Sequence, residues 1–264
     1  MKISLIISFY KNIPALCWIL DALSKQTHQN FEVIISEDDN CAETPLFIRQ
    51  QISKYRFPIK HLSQAEDNGF RKNEMLNKSI KAAVGDILVF IDGDCIPHSK
   101  FLQSHSQHVS KNILCFGRRV MLDAATTKMV YDGMYSEYLN TYRLFFTESR
   151  RKKYACYLPF LTSFRDEGIW GCNVGILKED ILKINGFDED YKTAGIGEDV
   201  DLEWRLQRVG VKFKSIRFEA IVYHLHHTEN YSTIDVAVGS KQLEEKKKQG
   251  FYFCKNGLQK TQSV

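Results

Sequence analysis

Two carboxylates separated by a single glycine follow an apolar run in the sequence ILVFIDGD, which spans residues 87–94. The apolar run predicts a buried strand, so that Asp92 and Asp94 lie at its carboxyl end. Carboxylates there can hold a hard divalent cation and, through it, a diphosphate, while Gly93 lets the backbone approach closely. The same residues also fit an ordinary turn, because Asp-Gly pairs are common in turns. On its own, the motif leaves both interpretations open.

A second acidic cluster, GIGEDVD at residues 195–201, leads into an apolar-periodic segment that predicts a helix. Acidic side chains in the first turn of a helix often serve only to complement the helix dipole. The two glycines that precede Glu198 and Asp199 instead favour a loop that folds tightly beside a ligand.

Histidines form a third cluster, YHLHH at residues 223–227, directly after the apolar run 218–222. On an extended chain the side chains of His224 and His226 point the same way, as two ligands of one ion should. Three of the eight histidines of the chain lie within four positions, which favours a metal site over isolated structural histidines.

The elements that would position these motifs alternate between strands and helices through the first hundred residues. Amphipathic periods that begin at Pro14 and at Thr44-Pro45 predict helices, and a third helix is expected over 71–84, ended by Gly85. This alternation predicts an α/β fold with a mostly parallel sheet and helices on both faces. In such sheets, ligands bind outside the carboxyl ends of the strands. The strands are expected at residues 3–9, 31–36, 58–62 and 86–91.

The second half of the chain is less regular. Residues 131–146 are rich in tyrosine and phenylalanine and predict a helix whose rings belong to the core rather than to a binding surface. A basic run, Arg150–Lys153, follows; such runs are usually solvated, but this one could also meet an anionic ligand. The segment after Ser240 is rich in Lys, Glu and Gln and predicts a peripheral tail, residues 241–264.

Composition excludes several classes of protein. The 264 residues carry a net charge of +4, which gives no support for nucleic-acid binding. Seven cysteines without a CxxC pair argue against a disulfide framework or zinc ribbon, and favour the reducing cytoplasm. No apolar run approaches the ~18–20 residues of a membrane span, and the first residues lack a signal-peptide cleavage region. We therefore expect a cytoplasmic protein, with any membrane contact peripheral and at the inner face.

Five motifs occur in an order that resembles a bacterial family-2 glycosyltransferase of the GT-A fold. The last third also resembles the C-terminal region of β-1,4-galactosyltransferases and chondroitin-polymerase-like enzymes. The resemblance covers about residues 2–228, with no matching motif over about 125–168, where a helical and loop insertion is expected. It implies one domain over 1–240, with a nucleotide-binding half (1–120) and an acceptor-binding, catalytic half (121–240). The motifs are DNGFRK at 67–72, FIDGDCIPH at 90–98, GFD at 186–188, GED at 197–199 and HLH at 224–226.

The resemblance also implies site residues for the nucleotide. Ser8 and Tyr10 would lie beneath the base, in a segment where the family usually has Pro-Thr-Tyr. Asp38 would accept a hydrogen bond from the uracil N3–H; it follows Glu37 where the family has an Asp-Asp pair. Arg71 would reach the uridine or its phosphates.

For the sugar and the reaction, the resemblance implies a second set of residues. Asp199 would be the catalytic base and Glu198 a sugar-binding carboxylate that also belongs to the catalytic pair. The segment with Trp170 and Gly171 would line the donor-sugar pocket. The DxD segment completes the site: Asp92 and Gly93 would face the ribose or sugar, and Asp94, His224 and His226 would bind the metal.

The implied activity is inverting transfer of a sugar from a UDP-sugar to a glycan or lipid-linked glycan. Galactose, GalNAc, GlcNAc or glucuronic acid would be the sugar, with the likeness of the last third favouring galactose or its N-acetyl form. Surface polysaccharide, lipopolysaccharide or capsule would be the product. Mixed imidazole and carboxylate ligands favour Mn²⁺ as the cofactor, with Mg²⁺ as the second choice. The unmatched middle, with the basic run Arg150–Lys153, would provide acceptor contacts.

Two alternatives remain open at this point. A nucleotidyltransferase also binds a nucleotide above such a sheet, but would carry a glycine-rich, basic loop after the first strand, and residues 8–12 contain no glycine. A non-catalytic carbohydrate-binding module would use its metal and aromatic residues for recognition only. Release of UDP from a UDP-sugar distinguishes the transferase from both.

Overall fold

A computed structural model describes residues 1–134, 139–165, 168–193, 198–228 and 233–260. Alternating strands and helices follow one another through the first half of the chain, as the sequence predicts. The strands are β1 (Ile3–Phe9), β2 (Phe31–Glu37), β3 (Ile59–Leu62), β4 (Ile87–Asp92), β5 (Cys95–Pro97), β6 (Ile113–Phe116), β7 (Arg118–Met121), β8 (Ser163–Arg165), β9 (Val174–Leu177), β10 (Lys212–Ser215) and β11 (Ile221–His224). The helices are α1 (Ile13–Ser24), α2 (Glu43–Gln51), α3 (Lys72–Ala82), α4 (Phe101–His108), α5 (Ala124–Met129), α6 (Thr141–Phe145), α7 (Lys178–Leu182), α8 (Glu198–Arg208) and α9 (Thr233–Gln249).

The large sheet has the strand order β3-β2-β1-β4-β9-β6-β10-β8. The first four of these strands pair in parallel, as do β6 and β10, whereas β9 runs antiparallel to both of its neighbours. The α/β prediction with a mostly parallel sheet is therefore confirmed. Parallel pairing brings the carboxyl ends of β1, β2 and β4 to one edge, where the sequence motifs of the first half lie.

A small second sheet crosses this edge and joins the two halves of the chain. Its order is β5-β11-β7, with β11 antiparallel to β5 and parallel to β7. The register sets His224 of β11 opposite both Cys95 of β5 and Met121 of β7. Because Cys95 directly follows Asp94, this pairing carries the histidine cluster to the acidic pair.

The core lies on both faces of the large sheet. Residues Ile3, Leu5 and Ile7 of β1 belong to one apolar cluster and Ile6 to the other, as expected for a central strand whose side chains alternate between two buried faces. Helix α1 begins with Asn12 accepting from the N–H of Ala15. It buries Leu16, Ile19, Leu20 and Leu23 against the first cluster.

In its described part, the segment 131–146 does not form the single helix that its composition predicts. Tyr135 and Tyr138 lie outside the described residues. A short turn of π-helix, Val130–Met134, contains Gly133 with a φ of 93°, which no helix accommodates. A new helix, α6, begins after Asn140, whose side chain accepts from the N–H of Arg143. Phe145 and Phe146 are 69% and 72% exposed, so the prediction that these rings belong to the core is wrong.

The segment after residue 240 is packed rather than peripheral. The side chain of Asn185 donates to the carbonyl oxygens of Cys254 at 2.7 Å and Gln259 at 2.8 Å. Lys246 forms an ion pair with Asp188 at 2.5 Å, and Leu258 is buried in the apolar cluster. A charge-rich composition predicts solvent exposure on average, and it does not reveal that a few apolar residues anchor the segment. The proposed domain boundary at residue 240 stays a prediction.

Among the described helices, none combines the length and apolar character that crossing a membrane requires.

Candidate active site

Asp92 ends β4 at the carboxyl edge of the large sheet, opposite Ser8 of β1. The N–H of Gly93 donates to the carbonyl oxygen of Ser8 at 2.7 Å. A Cβ atom at position 93 would lie 2.9 Å from the same oxygen, so any side chain would push this turn away from β1. Glycine is thus required between the two carboxylates by the approach of the backbone to β1.

The two carboxylates of this motif face different partners. Asp92 accepts from Lys72 Nζ at 3.2 Å and lies 3.9 Å from a guanidinium nitrogen of Arg119. Asp94 lies 3.4 Å from His224 Nε2 and 3.0 Å from Nε2 of His227. Because its neighbours are cations, Asp92 is less suited to hold a metal ion than Asp94, whose neighbours are potential ligands.

His227, and not His226, completes this histidine cluster. Potential ligand atoms of Asp94, His224 and His227 all lie within 4.8 Å of one another. His226 is exposed, and its N–H donates to the hydroxyl of Thr127 at 2.9 Å. The two-residue alternation that pairs His224 with His226 holds only in a strand, and β11 ends at His224. His227, the third histidine of YHLHH, is visible in the sequence as a possible ligand. Only the course of the chain after β11 shows that it lies beside Asp94.

The chemistry of this cluster fits a divalent cation. Burial alone would raise the pKa of Asp94, but the hydrogen bond from His227 and the charges of His224 and His227 lower it to about 2. Burial lowers the pKa of His224, whose buried Nδ1 has no hydrogen-bond partner among the described residues. The hydrogen bond to Asp94 raises the pKa of His227 to about 9, so a cation bound here would displace a proton. One carboxylate and two imidazoles suit Mn²⁺ or Zn²⁺ better than Mg²⁺.

A second group of potential ligand atoms comes from Asp92, Cys95 and Cys172. Asp92 and Cys95 lie on either side of Asp94 in the sequence. Both cysteines are buried, and burial raises the pKa of Cys95 well above its usual range. Metals bind the thiolate rather than the thiol, so its raised pKa makes Cys95 a packing residue beside the site.

Asp199 lies at the start of α8, where the N–H of Gly171 donates to its Oδ2 atom at 2.8 Å. Burial raises the pKa of Asp199, while the charge of Lys72 and the hydrogen bond from Gly171 act in the opposite direction. A buried carboxylate with a raised pKa is a stronger base than an exposed one. Residues 195–197 and the side chain of Glu198 lie outside the described part of the chain.

Asp38 directly follows β2, at the carboxyl edge of the large sheet. Its carboxylate accepts from the N–H of Arg71 at 3.0 and 3.1 Å and from Gln64 Nε2 at 3.0 Å. Burial raises the pKa of Asp38 to about 6, although both of these donors oppose that shift. The guanidinium of Arg71 donates to the carbonyl oxygen of Phe70 at 2.8 Å, so Arg71 contacts Asp38 through its backbone.

Tyr10, which follows β1, is 52% exposed and lies on the same edge as Asp38. The ammonium of Lys11 lies 4.6 Å from the centre of the Tyr10 ring and 3.2 Å from Asp67. Lys11 has a φ of 55°, which is unusual for a residue with a side chain. This lysine escaped the sequence analysis because nothing in its local sequence marks its position.

Trp170 precedes Gly171 and is surrounded by cations. The guanidinium carbons of Arg118 and Arg151 lie 4.6 and 4.4 Å from its ring, and that of Arg119 lies at 5.6 Å. The sequence predicts a sugar-pocket role for Trp170, and nothing in the sequence predicts that these arginines converge on it.

With this geometry established, the comparison with known families is direct. The sequence model of glycosyl transferase family 2 matches residues 4–180, which is more than half of the chain. A second model, the N-terminal domain of galactosyltransferase, matches residues 156–228. The chain belongs to glycosyl transferase family 2. Both resemblances inferred from the sequence motifs are confirmed.

Individual relatives and structures agree with this family. The chain is 24% identical over 233 residues to validoxylamine A glucosyltransferase of Streptomyces hygroscopicus subsp. jinggangensis (strain 5008), covering 79% of this chain and 52% of the relative. It is 26% identical over 230 residues to amylovoran biosynthesis glycosyltransferase AmsB of Erwinia amylovora, covering 85% and 70%. The chain thus spans about half the length of the Streptomyces relative.

The fold resembles the crystal structure of GalNAc-T7 with UDP, GalNAc and Mn²⁺. The TM-score is 0.68 at 12% sequence identity, and the alignment covers 92% of this chain and 48% of that chain. At this identity the likeness shows the fold alone, and the predicted GT-A fold is confirmed.

Proposed function

We propose that this glycosyltransferase inverts the anomeric carbon as it moves a sugar from a UDP-sugar to a hydroxyl of a glycan, with Asp199 as the general base. The observation that carries the proposal is the meeting of three features at one sheet edge. These are the carboxylate of Asp199 with its raised pKa, the Asp94–histidine cluster, and the ends of β1 and β2 with Tyr10 and Asp38.

Asp199 takes the proton of the acceptor hydroxyl while that oxygen attacks the anomeric carbon on the face opposite the diphosphate. The bond between this carbon and the diphosphate oxygen breaks with its electron pair, and UDP leaves as the anion. The raised pKa of Asp199 supports this role, because a general base works best when its pKa approaches the working pH. The N–H of Gly171 holds one carboxylate oxygen, Oδ2, in place, and Oδ1 is the atom that would accept the proton.

Asp94, His224 and His227 would hold a divalent cation on the diphosphate side of the reaction. A bound cation supplies electrostatic stabilisation of the charge that develops on the leaving diphosphate. Mn²⁺ is the preferred ion because the ligand set mixes nitrogen and oxygen. The presence of Mn²⁺ in the similar GalNAc-T7 structure supports this choice.

Asp38 and Tyr10 would hold the nucleotide. A carboxylate accepts several hydrogen bonds, so Asp38 can take one from the uracil N3–H in addition to that from Arg71. The exposed ring of Tyr10 can stack on the base, and the nearby charge of Lys11 suits the approach of an anionic donor. UDP in the GalNAc-T7 structure supports uridine over other bases.

The sugar is galactose or its N-acetyl form, which the match to the galactosyltransferase model supports. The acceptor is a glycan or lipid-linked glycan of a bacterial surface polysaccharide, such as capsule or lipopolysaccharide. The amylovoran biosynthesis relative supports this setting, in which the enzyme would work at the cytoplasmic face of the membrane.

The test measures turnover of a panel of UDP-sugars in the presence of Mn²⁺, with release of UDP as the readout. Slow hydrolysis of one UDP-sugar, and inversion at the anomeric carbon of the product by NMR, would support the proposal. Asp199→Asn is the matched control, since it preserves shape and removes the base. Pyrophosphate as the product, or sugar binding without UDP release by the active protein, would contradict it.

A further inference from the structure

Three arginine side chains converge on Trp170 beside the candidate base. Arg118 and Arg151 place their guanidinium carbons 4.6 and 4.4 Å from the centre of the indole ring. Arg119 lies at 5.6 Å and reaches toward Asp92 at 3.9 Å. Trp170 directly precedes Gly171, the residue that donates to Asp199. The cluster therefore lies beside the place where the transferred sugar must meet the acceptor.

The fold brings these cations together from two separate segments. Arg118 and Arg119 are consecutive residues of β7, and Arg151 arrives on the strand-like segment that pairs with it. Backbone hydrogen bonds at 3.0 and 2.7 Å join Met121 to Arg150, the residue before Arg151. Arg151 itself has a φ of 59°, a left-handed conformation that is strained for a residue with a side chain.

This cluster is short of negative charge. Within the described residues, no acidic side chain forms an ion pair with Arg118 or Arg151, and Arg118 Nη1 donates only to the carbonyl oxygen of Gly117 at 3.1 Å. Arg119 Nε is buried and has no hydrogen-bond partner in the same part of the chain. Its nearest carboxylate, Asp92, is shared with Lys72. Among the described residues, the charges of Arg118 and Arg151 are thus held beside Trp170 without an acidic partner, which suits the binding of an anion.

The basic run Arg150–Lys153 does not act as one surface. Lys152 donates to the carbonyl oxygens of Phe145 at 2.9 Å and Thr147 at 2.8 Å, so it ties α6 to the following turn. Lys153 lies 5.3 Å from the ring of Tyr154 and does not contact Trp170. Arg151 is the member of the run that contacts Trp170. The sequence predicts that the whole run contacts the acceptor, and we assign this role to Arg151.

We propose that Arg118, Arg151 and Trp170 form a subsite for an acidic saccharide. The neutral donor sugar proposed above places the acid on the acceptor, and an acid on the donor would replace that sugar assignment. Guanidinium groups bind carboxylate and phosphate through two parallel hydrogen bonds, and the indole ring of Trp170 holds the two guanidinium groups in place through cation–π contacts. Arg119 adds positive charge from the donor side through its contact with Asp92. The assignment rests on the transferase function proposed above.

Direct binding tests the subsite without any turnover. Glucuronate and glucose are titrated against the full chain by saturation-transfer NMR, with glucose 6-phosphate as a second anion. The subsite predicts that both anions bind and that glucose binds at least about 10-fold more weakly, because charge-assisted hydrogen bonds are lost. Arg151→Gln should abolish this preference, whereas Lys153→Gln, a neighbour with the same charge, should preserve it. Equal binding of glucose and glucuronate to the unaltered chain would overturn the proposal.

Turnover then locates the anion. A rise of about 10–100-fold in KM of Arg151→Gln for UDP-glucuronic acid, but not for neutral UDP-sugars, places it on the donor. The same rise for an acceptor with uronate or phosphate groups, with donor hydrolysis unchanged, places it on the acceptor. Arg151→Lys should fall between the two, since it keeps the charge and loses the fork. Changes no larger than those of Lys153→Gln in both arms would overturn the subsite.

Failure of the subsite and failure of the transferase remain distinguishable. If no UDP-sugar is hydrolysed but glucuronate binding still depends on Arg151, the proposed reaction is wrong and the anion site stands. If donor hydrolysis proceeds and binding shows no preference for the anions, the anion site is wrong and the proposed reaction stands. Thermal unfolding is measured for each variant to check that it still folds. This check matters most for Arg118→Gln, a further variant of the subsite that alters a half-buried residue.

Discussion

The N–H of Gly171 donates to Oδ2 of Asp199 at 2.8 Å, and a Cβ atom at position 171 would lie 2.5 Å from Oδ1 of the same carboxylate. Two motifs separated by 28 residues thus meet at one hydrogen bond. The contact gives Gly171 a second role beside the expected lining of the donor pocket: it admits and orients the proposed base. Only a residue without a side chain permits this approach.

Gly171→Ala should therefore displace Asp199 and lower kcat by about 10–100-fold, because small misplacement of a base is costly. Steady-state kinetics on the donor and acceptor measure the effect. The double variant Gly171→Ala/Asp199→Asn should be no slower than Asp199→Asn alone, since both changes act through one group. Additive losses would show that Gly171 acts independently of Asp199.

Asp199→Asn should lower kcat by about 10²–10⁴-fold, because the amide cannot accept the proton of the acceptor hydroxyl. The affinity for UDP, measured by calorimetry, should change little, since the proposed role lies on the acceptor side. A collapse of UDP-sugar binding with kcat preserved would instead make Asp199 a donor residue. Glu198 would then become the candidate base.

Metal dependence separates the two histidine assignments. A chelator should abolish activity and Mn²⁺ should restore it best. Asp94→Ala, His224→Ala and His227→Ala should each weaken Mn²⁺ binding, measured by electron paramagnetic resonance, because each removes a ligand of the cluster. His226→Ala is the matched control and should bind Mn²⁺ normally. If His226→Ala weakened Mn²⁺ binding as much as His224→Ala does, and His227→Ala did not weaken it, His226 would be the ligand, as strand alternation predicts.

Binding of uridine should depend on pH through Asp38. Burial raises the pKa of this carboxyl to about 6, so it is charged above that pH and neutral below it. The charged form accepts the stronger hydrogen bond, so uridine should bind more weakly as the pH falls from 8 to 5. The affinity for uridine is measured in the presence of a chelator, so that a metal bound at the histidine cluster does not contribute. Asp38→Asn should remove the pH dependence of this affinity between pH 8 and 5. A pH dependence that persists in Asp38→Asn would assign the effect to another group.

Stability should depend on the buried pair of Asp201 and Arg205 on α8. The pair lies at 2.7 Å, and Arg205 also donates to the carbonyl oxygens of Ile184 and Gly186 at 2.9 and 2.8 Å. Asp201→Ala leaves a buried cation without its partner and should cost about 3–5 kcal/mol of unfolding free energy. Denaturant unfolding measures this loss. Asp132→Ala, which breaks the exposed pair with Lys128, should cost about 0–1 kcal/mol.

Much of the architecture followed from the sequence because it depends on local pattern. The predicted strand at residues 3–9 coincides with β1, and the run at 86–91 lies within one residue of β4. A continuous apolar run indicates a strand that is buried on both faces, and such a strand is central in a parallel sheet. The carboxyl-edge position of Asp38, Asp92 and Asp94 followed from the same pattern, since strand direction sets which residues face the ligand edge.

What the tertiary structure alone decided concerns residues that meet across loops. The return of His227 to Asp94 depends on where β11 ends, and the contact of Gly171 with Asp199 depends on how the segment before β9 approaches the start of α8. The convergence of Arg118 and Arg151 on Trp170 requires β7 to pair with the segment at Arg150. Sequence periodicity describes one element at a time. It carries no information on the direction that a chain takes after an element ends, and these side chains owe their partners to that direction.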